Sequence, residues 1–178
     1  MPTKVIMDSE TIARAISRIA HEILERNKGA KDLRIIGIRT RGIHLARRIA
    51  DKIEELEGIK PPLGTLDITL YRDDFRRRSD WPKVQKTEIP FSVEDKSVIL
   101  VDDVLYTGRT TRAAIEAIMD YGRPASIQLV VLVDRRDYRE LPIQADYVGT
   151  RIMTLKTEKV DVLLKETDSK DEVLVVEV

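Results

Sequence analysis

The 178-residue chain contains no cysteine. Disulfides, thiolate nucleophiles and cysteine-ligated zinc are therefore excluded, and the composition agrees with a reducing compartment. Long apolar runs are missing as well: none approaches the roughly 20 residues needed to cross a bilayer. The opening Met1-Pro2-Thr3-Lys4 has no apolar segment of the secretory kind. The expectation is a soluble, cytoplasmic protein. There is no excess of charge of either sign, because 31 basic residues balance 31 acidic ones. Net charge thus gives no reason to expect nucleic-acid or membrane affinity, and only a local patch could supply it. Two common phosphate signatures, G-x-x-x-x-G-K-S/T and G-x-G-x-x-G, are also absent. No repeat, linker or low-complexity stretch divides the chain, so residues 1–178 are expected to form one domain.

What is present is an alternation of helical and strand patterns. Asp8 or Ser9 can cap a helix reaching to about Asn27, with Ile12, Ile16, Ile19 and Ile23 on one face. Residues 34–38 read as a short buried strand, followed by a tight loop at 39–42 and a second helix over about 43–56. Residues 65–70 alternate apolar and polar, as in a strand with one buried face. Residues 72–88 hold six basic side chains and little periodicity, which is long for a connection and points to a functional segment. Residues 98–101 and 127–133 read as buried strands around a helix over 110–121. Residues 147–148, 160–164 and 173–176 read as short strands. Strands alternating with helices predict an α/β fold with a mostly parallel central sheet. In such sheets ligands sit beyond the carboxyl ends of the strands, and the loops at 39–42 and 102–110 fall there.

The densest chemistry lies at Val98-Ile99-Leu100-Val101-Asp102-Asp103-Val104-Leu105-Tyr106-Thr107-Gly108-Arg109-Thr110-Thr111. An apolar strand delivers two adjacent carboxylates, whose side chains point to opposite sides of an extended backbone. A spacer follows, and then a glycine and hydroxyl turn opens a helix. Glycine admits close approach of an anion, and the first helical amides and the threonine hydroxyls donate to phosphate oxygens. Acidic groups for sugar hydroxyls beside an anion cradle suit a phosphorylated sugar.

Residues 98–111 resemble the 5-phosphoribosyl-1-diphosphate (PRPP) motif of the type I phosphoribosyltransferases. Further segments narrow the resemblance: Ile16-Ser17-Arg18-Ile19-Ala20-His21-Glu22, residues 38–42, Leu66-Asp67-Ile68-Thr69-Leu70-Tyr71-Arg72-Asp73-Asp74 and Arg139-Glu140-Leu141-Pro142-Ile143. Together they are similar to the pyrimidine-operon attenuation regulators that are also uracil phosphoribosyltransferases, over residues 6–165. The resemblance implies the type I fold, with a central sheet flanked by helices and a small hood of peripheral segments. It implies transfer of the ribosyl phosphate from PRPP to uracil, giving UMP and diphosphate. Asp102 and Asp103 would meet the ribose hydroxyls. After the spacer Val104, Leu105 and Tyr106, the run Thr107, Gly108, Arg109 and Thr110 would hold the 5-phosphate. Thr40, Arg41 and Gly42 match the diphosphate loop, where the family often has a non-proline cis peptide, and Arg41 joins the two aspartates as a catalytic group. Arg72 opens the segment matching the closing lid. Val133, Asp134 and Arg135 lie where the hood meets uracil. Mg2+ would be carried mainly by the diphosphate, with no metal ligand assigned to a particular side chain, and Asp103 and Asp134 are candidates for a base toward uracil.

The resemblance also implies binding of a pyrimidine-operon mRNA leader when UMP accumulates, and assembly into dimers or larger homo-oligomers. Arg14, Arg18 and His21 share one helix face, with Arg26 and Lys28 near its end, and such a stripe can contact RNA. The plain alternative is a solvated helix face, and Glu22 and Glu25 nearby favour it. Arg139 and Arg151 complete the RNA candidates. The chain departs from the family pattern at 134–146, where one residue is added, the Gly-His pair is missing and Gln144 replaces an arginine. Thr150 stands in place of a lysine. These departures bear on RNA control more than on catalysis. The alternatives are therefore an RNA-binding regulator with weak enzymatic activity, and a phosphoribosyltransferase for another base.

Overall fold

The isoleucine stripe forms helix α1, Ser9–Asn27, in the computed structural model, which describes residues 3–71 and 86–178. Asp8 caps it, its carboxylate accepting the Thr11 amide at 2.8 Å. Lys28, at φ 55°, and Gly29, at φ 110°, turn the chain out of the helix. Strand β2, Leu33–Ile38, leads to α2, Arg41–Glu57, and to β3, Leu63–Leu66. Strand β4, Ser97–Leu105, leads to α3, Arg109–Met119, then β5, Ser126–Arg135, and β6, Tyr147–Ile152. These strands form one parallel sheet in the order β3-β2-β4-β5-β6.

Successive residues of a strand face opposite sides, and β4 is apolar on both. Ile99 and Val101 pack with α1 and α2 in one core, while Val98 and Leu100 pack with Ala113, Ala114 and Ala117 of α3 in the other. The expected mostly parallel sheet covered by helices is what the structure contains. Strand β4 runs four residues beyond the expected stretch, so Asp102 and Asp103 belong to the sheet, with Asp102 in register with Val131.

Two expectations fail in detail. The strand expected over 65–70 ends at Leu66. The Asp67 carboxylate accepts the Thr69 amide at 2.9 Å, which bends the chain into a 3-10 turn, Thr69–Tyr71. Ile68 is still buried, so a single turn satisfies the same apolar spacing. Strand β1, Thr3–Met7, lay outside the expected elements. It pairs with β8, Glu172–Glu177, which pairs in turn with β7, Glu158–Leu163. A short helix, α4, Lys165–Asp168, joins β7 to β8. This antiparallel sheet is held to α2 by Arg48, which binds Glu166 at 2.7 Å and Asp171 at 2.8 Å.

Candidate active site

Adjacent strands β2 and β4 end beside each other, and each feeds a helix. Neither α2 nor α3 has a side-chain cap at its N-terminus. The opening amides of α2, and those of α3 that follow Arg109, are therefore open to an anion. The α2 turn packs directly on β4. A Cβ on Gly42 would lie 2.5 Å from the Val101 carbonyl oxygen and 3.3 Å from the Asp102 Cα. A Cβ on Gly37 would lie 2.6 Å from the Ile43 Cα. Glycine at these two positions lets the start of α2 sit directly on β2 and β4. The Arg39–Thr40 peptide just before α2 is cis, as the resemblance implied for this loop.

Asp102 is buried and Asp103 half-buried. Each carboxylate accepts the amide of the following residue at 2.8 Å. Burial, reinforced by the neighbouring Asp103 carboxylate, pushes Asp102 well above the ordinary carboxylate range. The more accessible Asp103 is thus the better placed of the two to accept from a sugar hydroxyl.

The expected anion cradle is a turn around Gly108, at φ 93°. The Thr107 hydroxyl accepts the Arg109 amide at 3.2 Å, and the Arg109 side chain points away to Glu140 at 2.6 Å. Thr110 lies half-buried in the first turn of α3, and the next threonine, Thr111, is buried. Val104, Leu105 and Tyr106 complete the sheet end beneath this turn.

Arg41 does not stand alone in the α2 turn. Its guanidinium binds Asp168 of α4, Nη2 to Oδ1 at 2.9 Å and Nε to Oδ2 at 3.3 Å. The Leu164 amide, the Thr167 hydroxyl and Arg41 together hold Asp168 down to about 2. Arg41 and Asp168 are 127 positions apart, so no local pattern could have revealed the pair. Arg72 lies outside the described residues.

Val133 is buried at the end of β5, followed by buried Asp134 and Arg135. Asp134 is bound by Arg139, with Arg151 at 3.9 Å. The Arg135 guanidinium lies 3.9 Å from the centre of the Tyr106 ring and donates to the Thr154 hydroxyl at 2.8 Å. Tyr138, in the lengthened segment, meets Tyr106 edge to face with ring centres 5.6 Å apart. The lengthened segment therefore packs against the residue that precedes the Thr107–Gly108 turn.

Among the RNA candidates, Arg14 pairs with Glu10 and remains largely exposed. His21 Nδ1 lies 2.8 Å from the Ser17 carbonyl, and Lys28 closes α1. Arg18 donates to the Val148 and Gly149 carbonyls and pairs with Glu22. Arg26 pairs with Asp146 at 2.8 Å. Arg139 turns inward to Asp134, while Arg151 is half exposed. These groups do not form one uniform free stripe, because Arg18, Arg26 and Arg139 each hold another element in place.

Residues 2–167 match the phosphoribosyl transferase domain. The chain belongs to the phosphoribosyl transferase domain family. It is similar to the bifunctional protein PyrR of Deinococcus radiodurans, 59% identical over 170 residues, which span 96% of this chain and 92% of that protein. The bifunctional protein pyrR of Enterococcus faecalis is 53% identical over 175 residues, spanning 98% and 97% of the two chains. These relatives bear out the resemblance found in the sequence. A hypoxanthine phosphoribosyltransferase structure from Trypanosoma cruzi superposes with a TM-score of 0.74, covering 98% of this chain and 96% of that one. At 21% identity that likeness establishes the type I fold and says nothing of the base.

Proposed function

We propose that this chain transfers the 5-phosphoribosyl group of PRPP to uracil, forming UMP and diphosphate. The observation that carries the reading is the contact of the uncapped start of α2 with β4, Gly42 against the Val101 carbonyl and Asp102, on the strand that leads to the uncapped start of α3. It brings together a diphosphate site, a hydroxyl-binding acid pair and a phosphate site, in the order PRPP presents them. The chain is read as one domain over residues 1–178.

In this reaction carbon 1 of the ribose becomes oxocarbenium-like as diphosphate leaves. The amides opening α2 and the Arg41 guanidinium stabilise charge gathering on the leaving group. In the pair with Asp168, Arg41 engages Nε and Nη2, which leaves Nη1 outside that pair. Asp103 holds the ribose hydroxyls, and Thr107, Gly108, Arg109 and Thr110 fix the 5-phosphate, so the sugar is anchored at both ends. Among the described residues no three His, Cys, Asp or Glu side chains form a metal cage. The hard oxygens of the more accessible Asp103 nevertheless suit Mg2+ that would enter on PRPP and keep its waters. When bound, Mg2+ supplies positive charge against the departing diphosphate. Asp134 is committed to Arg139, which leaves Asp103 as the remaining candidate for a proton acceptor.

The regulatory half of the proposal is UMP-dependent binding of a pyrimidine-operon mRNA leader. The exposed Arg14 and the half-exposed Arg151 support it. Residues Met153 and Leu155, 82% and 65% exposed, offer apolar surface for the proposed homo-oligomer. Among the described residues no helix is long and apolar enough to cross a membrane, and the proposed compartment is the cytoplasm. The test is a panel of bases assayed with PRPP, with and without Mg2+. UMP from uracil alone is expected, and turnover of a purine but not uracil overturns the base assignment. Titration of a labelled leader should tighten with UMP, and indifference to UMP removes the regulatory role.

A further inference from the structure

The segment after β5 grips the phosphate turn through its backbone. Arg139 Nη1 donates to the Tyr106 carbonyl at 2.6 Å. The Glu140 and Leu141 amides donate to the Thr107 carbonyl at 2.9 and 3.2 Å. Gly108 lies against Leu141 and Ile143 at 3.5 and 3.4 Å from its would-be Cβ. Two successive carbonyls of the turn are therefore anchored on one side by one short stretch of chain.

A trans peptide is planar, and its N–H points opposite to its C=O. The Tyr106–Thr107 and Thr107–Gly108 peptides are both trans. Holding the Tyr106 carbonyl fixes the direction of the Thr107 N–H, and holding the Thr107 carbonyl fixes that of the Gly108 N–H. Among the described residues neither amide donates to a protein group. Both are thus presented, aimed and unspent, on the side of the turn away from Arg139. The guanidinium is held in its turn by Asp134, whose side chain is only 5% exposed, against 20% for Arg139. A charged donor fixed by a buried carboxylate is a stiff support for a carbonyl.

We propose that Arg139, anchored by Asp134, is a positioning residue that aims the Thr107 amide at the 5-phosphate, beside the Gly108 amide that the Glu140 and Leu141 backbone holds in place. The inference rests on the reading of that turn as the phosphate site. It gives Arg139 a task apart from RNA, and it explains why an arginine stands in the lengthened segment with its side chain turned inward. Glutamine at this position is too short to reach both Asp134 and the carbonyl. Lysine keeps one charged donor for one of them.

The test is steady-state kinetics of Arg139→Gln, Arg139→Lys and Asp134→Asn, with ribose 5-phosphate as a competitive probe of the phosphate turn. R139Q is expected to raise the KM for PRPP and the inhibition constant of ribose 5-phosphate about tenfold, the scale of one charge-assisted hydrogen bond. The KM for uracil and kcat should stay within about twofold, and R139K should recover part of the loss. D134N should shift the same two constants, and adding it to R139Q should cost little more, because both act through one guanidinium. A merely structural role would instead lower thermal stability and change every kinetic constant together. Constants for PRPP and ribose 5-phosphate that stay within twofold in R139Q, or in D134N if R139Q does not fold, overturn the proposal. Thr107→Val separates the underlying reading: if it leaves both constants unchanged, the turn is not the phosphate site and the assignment of Arg139 falls with it.

Discussion

Replacing Gly42 with alanine tests whether the contact of α2 with β4 is needed for catalysis. The new Cβ would stand 2.5 Å from the Val101 carbonyl oxygen. A carbon rests against a carbonyl oxygen at about 3.3 Å, so α2 and β4 must separate by roughly 0.8 Å. Both partners are backbone, and β4 is hydrogen-bonded to strands on both sides, so no side-chain rotation relieves the clash. Overpacking of this kind costs about 1–3 kcal/mol. For a domain of this size each kcal/mol lowers Tm by roughly 2–4 °C. The separation falls between the proposed diphosphate and ribose sites, where a displacement near 1 Å costs about a hundredfold in rate. Gly58→Ala is the matched control. Gly58 has φ 74° with nothing within 4 Å of its would-be Cβ, so alanine there costs about 1 kcal/mol of backbone strain far from the site. The assay is UMP formation at saturating PRPP and uracil, with thermal melts alongside. G42A should lose about a hundredfold in kcat, and G58A should keep parental turnover while losing a few degrees of Tm. Turnover of G42A within threefold of the parent would refute the argument, as would an equal loss in G58A.

Asp102, raised by burial and by Asp103, favours the folded state while protonated and opposes it once ionised. Its stabilisation is complete below the ordinary carboxylate pKa and is lost as pH rises toward its elevated folded value. Asp102→Asn should therefore be more resistant to urea than the parent at neutral pH, with the advantage vanishing at low pH; equal urea midpoints throughout would contradict the burial argument. Asp168, held down to about 2, behaves oppositely: its contribution is present above about pH 4 and disappears as pH falls toward 2. Asp168→Asn should lower the urea midpoint at neutral pH and flatten its decline between pH 4 and 2, and an unchanged acid profile would argue against the pair with Arg41. Arg48→Met removes both carboxylate contacts of the small sheet and should destabilise the protein by about 1–3 kcal/mol, read as a fall in Tm with kcat preserved in the remaining folded protein.

The parts of the molecule legible in the sequence are those whose physics is local. Apolar residues 98–101 followed by Asp102 and Asp103 reveal β4 and its acidic end, because a parallel strand is buried on both faces and its ligand site lies at its carboxyl end. Thr107 to Thr110 reveal the helix start that follows. The strand assigned to 65–70 misleads because Leu66, Ile68 and Leu70 alternate, while the Asp67 carboxylate captures the Thr69 amide and turns the chain. Strand β1 is illegible from its own five residues, since its partner β8 lies at the other end of the chain. The same applies to the arginines. Arg41, Arg48 and Arg139 owe their roles to Asp168, Asp171 and Tyr106, each brought near by tertiary packing. The basic face of α1 is visible as spacing, but only the structure distinguishes Arg14, paired within its own helix, from Arg18 and Arg26, which reach across to residues 146–149.

That reach of Arg18 has a consequence for the way the protein behaves in a crowded solution. Strand β6 ends the five-stranded sheet, and an outermost strand offers its free carbonyls and amides to any passing chain. Arg18 occupies the Val148 and Gly149 carbonyls and sets a positive charge at that border. At the opposite border, Glu88 exchanges two backbone hydrogen bonds with Thr65 of β3. Both margins of the sheet are thus partly blocked against strand addition by a second molecule. Removing Arg18 would do more than alter a basic patch: it would expose a template for aggregation, and diminished RNA binding in such a variant would have to be separated from loss of soluble protein.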